Sequence, residues 1–589
     1  MSKLAIVAPA AALAFALSAC GSSTDNGTTG GTPGGTSNGT TGAPGGTTGG
    51  TTTGGSPAGT TGGSSTGGAP DAGSVQDKIT TATPIKHLVV IYGENISFDH
   101  YFATYPTATN VDGEPAFNAA AGTPTVNGLS GSLLTSNPNS TNTMNGAGAA
   151  NPFRLDRAQA NTEDQNHGYT AEQEAYDNGA VDLYPLYTGT AFPGGAGAFG
   201  TTGLVMGYFD GNTVTALWNY AQRFAMSDNS YGDMYGPSTV GAINVVSGQT
   251  NDINLVKSSG SSYYVDDGQG GMTLMGDVDP GYDMCSSATD TVSFNGKSIG
   301  DLLTTGSVTW GAFQGGFDLT ITNPNGTTGC KRTTYSEITG SPKADFVPHH
   351  AWFQYYASTN NPDHTRPSSE AAIGTETDGA KHEYDIHDFF DSVNAGNYPS
   401  VSYLKAPAYQ DGHAGYSDPL DEQAFVTKVV NFLEQQADWN NTAVFILYDD
   451  SDGWYDHAGI TPANGSWTSA DAANGAGKCG TEGTTSQAAG VTSTSGVNGR
   501  CGPGVRQPFM VISPWAKQNY VDHTLITQAS VVQFIEDNWL SSTRIGQGSF
   551  DATTGSVDGM FDFTGTADTT PLYLDNDLGT PLSGPPSSN

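Results

Sequence analysis

The sequence predicts an α/β fold of three layers, with helices on both faces of a largely parallel central sheet and long loop insertions. Two observations predict it. Short apolar runs of strand length recur along the chain, and helical patterns lie between them.

The first run, Ile85-Lys86-His87-Leu88-Val89-Val90-Ile91-Tyr92, ends at Gly93 and has the length and β-branched content of a buried strand. A helical pattern covers residues 214–224. Ser400-Val401-Ser402-Tyr403-Leu404 is a candidate strand. Asp418-Pro419 then opens a helix, the acid as cap and the proline in the first turn, and Phe425, Val426, Val429, Val430, Phe432 and Leu433 follow at helical spacing. Asn441-Thr442-Ala443-Val444-Phe445-Ile446-Leu447-Tyr448 and Pro508-Phe509-Met510-Val511-Ile512-Ser513 are two more strands, and a last helix covers residues 530–540. The remainder, rich in Gly, Asn, Asp and Thr, reads as long surface loops.

The N-terminus differs in kind. Lys3, an apolar run from Leu4 to Leu17, and the small residues before Cys20 mark a signal peptide over residues 1–19. Cys20 sits where a bacterial lipobox places its lipidated cysteine, although an ordinary signal peptide with an incidental Cys has the same outline. The Gly/Thr/Ser-rich stretch that follows cannot bury enough apolar surface to offset its ordering entropy, so residues 20–78 read as a lipidated cysteine and flexible tether, ahead of a catalytic domain at 79–589. The expected location is the bacterial cell envelope, with the membrane reached through the lipid anchor. Lys and Arg total 20 against 57 Asp and Glu, a formal net charge of -37. That field repels polyanions and argues against nucleic-acid binding through a basic face. The other cysteines, Cys285, Cys330, Cys479 and Cys501, are even in number, as disulfides in an exported chain require. Three pairings are possible, and the local one, Cys285 with Cys330 and Cys479 with Cys501, is preferred.

In open α/β sheets, ligands bind beyond the carboxyl ends of the strands. After the first strand come Glu94-Asn95 and Ser97-Phe98-Asp99-His100; after the Asn441 strand come Asp449-Asp450-Ser451-Asp452-Gly453 and Asp456-His457. Two distant strands thus deliver carboxylates to one edge, which suits a hard divalent cation whose identity stays open. These acids could instead be caps and turn formers. An EF-hand reading of Asp449–Gly453 fails, because neither Ile460 nor Thr461 supplies the closing Glu. Tyr235-Gly236-Pro237-Ser238-Thr239-Val240-Gly241-Ala242 puts adjacent hydroxyls at a sharp turn before a helix whose free N–H groups could receive phosphate oxygens. Among only 11 histidines, His167, His349, His350 and His413 lie in polar surroundings and, with His457, would suit phosphate contacts and proton donation.

Gly93-Glu94-Asn95-Ile96-Ser97-Phe98-Asp99-His100-Tyr101-Phe102 resembles the E-N-x-S-F-D-H-Y-F signature of the bacterial phosphoesterase family. That family contains phospholipases C and respiratory-burst-inhibiting acid phosphatases and belongs to the alkaline phosphatase superfamily. Ser227–Tyr231, Gly236-Pro237-Ser238, Asp411-Gly412-His413, Asp449-Asp450 and Gly504–Pro508 follow in the family's order. The resemblance implies an alkaline phosphatase-like fold, with Glu94, Asn95, Asp449 and Asp450 at the metal and phosphate site. It implies Ser238 as nucleophile, His167, His350 and His413 around the phosphoryl group, and His349 nearby with Asn95 in substrate binding. Phospholipase C members typically carry Thr-Trp-Pro-Asn after the Gly-Pro and Asp-Glu after the second strand. Ser238-Thr239-Val240-Gly241 and Asp449-Asp450 depart from both, towards the acid phosphatase branch. The expected function is therefore a metal-dependent, broad-specificity acid phosphatase working through a phosphoserine, with His350 or His413 as proton donor. The alternatives are a phospholipase C and a non-catalytic exported cation- or surface-binding protein.

Overall fold

The computed structural model describes residues 76–473, 479 and 497–586. The expected signal peptide, the lipidation site Cys20 and nearly all of the tether lie outside the described residues. An eight-stranded sheet forms the centre. Its strands are β1 (His87–Gly93), β2 (Ala225–Ser227), β3 (Trp310–Gln314), β4 (Glu383–Asp385), β5 (Val401–Lys405), β6 (Thr442–Tyr448), β7 (Phe509–Ile512) and β8 (Tyr520–Asp522). Across the sheet they run β4-β3-β5-β1-β6-β7-β2-β8. Neighbours from β4 to β6 are parallel. Strand β7 runs antiparallel to both β6 and β2, and β8 is parallel to β2. The sheet is therefore parallel except for β7, as the expected layering requires.

The helices used below are α1 (Phe98–Phe102), α2 (Tyr169–Tyr176), α3 (Thr215–Arg223), α4 (Ser238–Ser247), α5 (Ile299–Thr305), α6 (Ile386–Asn394), α7 (Pro419–Leu433) and α8 (Ala529–Trp539). Side chains along a strand alternate between faces, and β1 divides its apolar residues accordingly. Val89 and Ile91 join a core with Trp218 of α3, Phe389 of α6 and Val429 of α7. Leu88 and Val90 join a second core with Ile243 of α4, Leu303 of α5 and Val532 of α8. Burial on both faces explains why β1 and β6 read as near-continuous apolar runs. Each such side chain contributes roughly 1.5–3 kcal/mol relative to exposure. Helix α7 starts where its signal predicts, since the Asp418 side chain accepts from Leu420 N and Asp421 N. Strands β2, β4 and β8 went unforeseen because three residues carry no usable periodicity. The disulfides are Cys285–Cys330 and Cys479–Cys501, the local pairing.

Register brings the strand ends together. Gly93 lies opposite Tyr448, so Glu94 and Asp449 leave the sheet side by side. Leu404 lies opposite Ile91, which brings Lys405 to the same edge.

One buried acid far from this edge makes stability depend on pH. Glu536 of α8 and Asp551 both accept from Ile545 N, at 2.9 and 2.8 Å. Burial, reinforced by Asp551, pushes Glu536 up to about 9. The folded chain then keeps a proton that the unfolded chain loses, so this contribution declines as pH rises between about 4.5 and about 9. Glu536→Gln should gain Tm on the wild type progressively across that window; parallel Tm curves would show that Glu536 titrates ordinarily.

Candidate active site

The chain leaves β1 through Asn95, whose φ of 62° lies in the left-handed region that Asn tolerates better than most residues. That turn stitches β1 to β6. Asn95 N donates to Asp449 Oδ1 at 2.8 Å, Asn95 Nδ2 donates to Asp452 Oδ1 at 3.2 Å, and Ile96 N donates to the Asp450 carbonyl at 3.0 Å. Asp450 N also donates to Asp449 Oδ1, at 2.7 Å, and Asp452 N donates to Asp450 Oδ1 at 2.6 Å. Asp449 Oδ2 and Glu94 Oε2 are buried with no hydrogen-bond partner.

Ser238 reaches the same point from the other side. It is the first residue of α4, after a turn at Gly236 whose φ of 123° excludes most side chains. The helix fits against the end of β6 because residue 241 is glycine; a Cβ there would overlap the Asp449 carbonyl oxygen. Ser238 Oγ lies 2.9 Å from Asp450 Oδ2 and 3.2 Å from Asn95 Oδ1. Thr239 turns away, and its N and Oγ1 both donate to Asp277 Oδ1 at 2.9 Å. Gly236 N donates to Glu172 Oε2 at 2.9 Å. Of the N–H groups around this helix start, carboxylates take those of Gly236, ahead of the helix, and Thr239.

The histidines gather unequally. His350 is buried with Nδ1 3.4 Å from Glu94 Oε1 and 3.8 Å from Asp411 Oδ2. Burial, then His349, holds its imidazole well below the ordinary range. His413 donates from Nδ1 to the Ala414 carbonyl at 2.6 Å, and burial lowers its pKa too. His167 lies 6.0 Å from His413, ring to ring, with Nδ1 3.3 Å from Asp452 Oδ1. Burial opposes its charge, but Asp450, Asp452 and Asp164 outweigh that and keep His167 protonated well above the usual range. His349 leans on Asp279 at 3.9 Å and meets the cluster at the His350 ring, 4.5 Å away. His457 is engaged elsewhere, its Nδ1 2.7 Å from Asp99 and its Nε2 3.2 Å from Asn127. Its neighbours Asp99 and Asp456 are paired with the buried Arg506 guanidinium, so that group already holds its cation.

Several members of the site escaped the sequence reading. Lys405, the last residue of β5, forms a buried ion pair with Glu94; the available signal was a cation directly after the Ser400–Leu404 run in a chain with only 20 Lys and Arg. Asp411 and Asp452 stood within recognised motifs without a role, and Glu172 and Asp277 had no signal at all. Burial pushes Asp411 up to about 8 and, with Asp449 next, raises Asp450 well above the carboxylate range. So many buried acids beside Lys405 and His167 can ionise together only where further positive charge compensates them. Glu94 Oε2 and Asp449 Oδ2, the two partnerless carboxylate oxygens, are donors of the kind a hard divalent cation takes. Ligand atoms of Glu94, His350 and Asp411 lie within 4.8 Å of one another, as do those of Asp164, His167, His413 and Asp452.

The sequence profile of the Phosphoesterase family matches residues 85–540. The non-hemolytic phospholipase C of Pseudomonas aeruginosa is 31% identical over 152 residues, covering 25% of this chain and 21% of that protein. The non-hemolytic phospholipase C of Burkholderia pseudomallei is 24% identical over 466 residues, covering 77% of this chain and 55% of that protein. Phospholipase C A of Mycobacterium tuberculosis is 24% identical over 461 residues, 75% of this chain and 71% of that protein. The chain thus spans 21% and 55% of the length of the first two relatives. Among solved structures, murine ectonucleotide pyrophosphatase/phosphodiesterase 5 aligns with 59% of this chain and 95% of its own, at 11% identity and a TM-score of 0.27.

Proposed function

Since the chain belongs to the phosphoesterase family, we propose that it hydrolyses phosphoric esters through attack by Ser238. The observation that carries this reading is the buried Ser238 hydroxyl, held between Asp450 and Asn95 among carboxylate oxygens that lack partners.

Glu94, Asn95, Asp449 and Asp450 would hold the divalent cation. Bound there, it would supply the positive charge that a phosphoryl group needs and would acidify the hydroxyl. The rest falls to the chain's own groups, since phosphoryl transfer depends mainly on positioning and charge. Ser238 Oγ attacks phosphorus, its proton passing to Asp450 at 2.9 Å. The bond from phosphorus to the leaving oxygen breaks, and that oxygen takes a proton from His167. Of the three candidates His167 suits donation better than His350 or His413, since Asp452 and Asp164 beside it favour its charged form, whereas burial disfavours charge on the other two. Water then gives a proton to neutral His167 and attacks the phosphoserine, and Ser238 Oγ recovers its proton from Asp450. His350 and His413 would contact phosphoryl oxygens, with His349 and Asn95 as substrate contacts.

The finer reading is a broad-specificity acid phosphatase, supported by Ser238-Thr239-Val240-Gly241 and Asp449-Asp450. A phospholipase C is the second reading, favoured by the names of the relatives. Purified protein with a series of divalent metals should release inorganic phosphate from a soluble monoester. Phosphocholine release from phosphatidylcholine vesicles without monoesterase activity would select the second reading. No hydrolysis with any metal would return the chain to the cation- or surface-binding class.

The two disulfides support an exported protein. No helix among the described residues is long and apolar enough to cross a membrane. Anchoring through Cys20 would be seen as partition of wild-type protein into the detergent phase and its loss in Cys20→Ser.

A further inference from the structure

Ser238 and Asp450 lie 212 residues apart, and their 2.9 Å contact depends on how two loops are held relative to each other. One loop is the turn Tyr235-Gly236-Pro237 before α4; the other is the acidic segment 449–453 after β6. A single side chain bonds to both. Glu172, 2% exposed on α2, accepts from Gly236 N through Oε2 at 2.9 Å and from Ser451 Oγ through Oε1 at 2.6 Å. Ser451 Oγ in turn accepts from Gly453 N at 3.0 Å, so the link continues through the acidic loop.

The helix that carries Glu172 is itself anchored. Tyr169 OH donates to Asp471 Oδ1 at 2.5 Å and accepts from Cys501 N at 2.9 Å. Gln173 Oε1 accepts from Ala472 N and Ala473 N at 2.9 and 3.1 Å. Glu172 is thus a fixed bridge rather than a mobile acid. Its partners are Gly236, two residues before Ser238, and Ser451, between Asp450 and Asp452, yet no hydrogen bond joins Glu172 to Ser238 or to either of those acids.

We propose that Glu172 is a positioning residue, which holds the Ser238 hydroxyl in line with Asp450 by accepting one hydrogen bond from each loop. The inference rests on Ser238 being the nucleophile. A carboxylate suits the task because its two oxygens accept two bonds at a fixed separation. Glutamine can keep both links, accepting from Gly236 N and donating to Ser451 Oγ. Alanine loses both and leaves the buried Gly236 N–H unpaired. Displacing a reacting group by about 1 Å can cost roughly 100-fold in rate.

The test compares wild type, Glu172→Ala, Glu172→Gln, Ser451→Ala and Ser238→Ala on one phosphoester, with acid-quench labelling to count phosphoenzyme per chain and Tm to report folding. Glu172→Ala should lower kcat by about 10- to 100-fold with KM within about threefold and with full labelling stoichiometry reached more slowly. Glu172→Gln should keep kcat within about threefold of wild type, and Ser451→Ala should fall between the two. A merely structural role would instead reduce the labelled fraction and leave the rate per labelled site unchanged, which overturns the proposal. Wild-type kcat in Glu172→Ala, or in Ser451→Ala where Glu172→Ala fails to fold, overturns it too. So does a folded Glu172→Gln as slow as the alanine variant. Full activity and labelling in Ser238→Ala would refute the nucleophile itself; an inactive Ser238→Ala beside a wild-type Glu172→Ala would refute only the role of Glu172.

Discussion

Ser238→Ala should leave fold and metal content intact and lower turnover by at least about 1,000-fold, the scale of losing one member of a nucleophilic unit. The substitution removes Oγ and its contacts with Asp450 and Asn95, but Asp450 Oδ1 still accepts from Asp452 N and Asn95 Nδ2 still donates to Asp452 Oδ1. Thr239→Ala is the matched control. Its Oγ1 bonds Asp277, and its backbone N–H keeps the same acceptor after substitution, so the cost should be about 1 kcal/mol of stability with little effect on rate. Acid-quench trapping with labelled substrate reads the result directly. Label should appear on wild type and on Thr239→Ala but not on Ser238→Ala; label that persists without Ser238 would mean another residue is the nucleophile.

Asp449→Asn should abolish tight metal binding without unfolding the chain. Asp449 Oδ1 accepts from Asn95 N and Asp450 N, and an asparagine carbonyl oxygen can keep both bonds. What changes is Oδ2, the buried oxygen without a partner, which becomes an NH2 group. Outer-shell partners of metal sites typically cost about 10–100-fold in affinity or activity when mutated, and loss of a direct ligand should exceed that. Metal content after dialysis, measured by mass spectrometry, should fall with Tm retained, and activity should return in part at high metal concentration. Unchanged metal content would show that this oxygen is not a ligand.

Much of the fold was legible because it depends on short-range rules. Burial on both faces writes itself into β1 and β6 as uninterrupted apolar runs. The Asp418-Pro419 step marks the start of α7 because cap chemistry is local, and the observed cap agrees. Strand β3 shows the limit, since Gly311 breaks its run and its place in the sheet comes from β4 and β5, residues 383–405. The antiparallel direction of β7 has no sequence signature either, because a buried run reads the same both ways.

By itself the sequence determined which residues arrive at the sheet edge: Glu94 and Asn95 follow one apolar run, Asp449 and Asp450 another, and Ser238 follows a Gly-Pro turn. Tertiary structure alone decided what those residues are to one another. Lys405 became the partner of Glu94 because parallel register sets β5 beside β1. Glu172 became a bridge because α2 packs where two remote loops meet. Charge is favoured on His167 and disfavoured on His350 and His413, because protonation depends on burial and on which charges lie within a few ångströms. Those quantities are properties of distance in space, and chain position does not encode them until the sheet has formed.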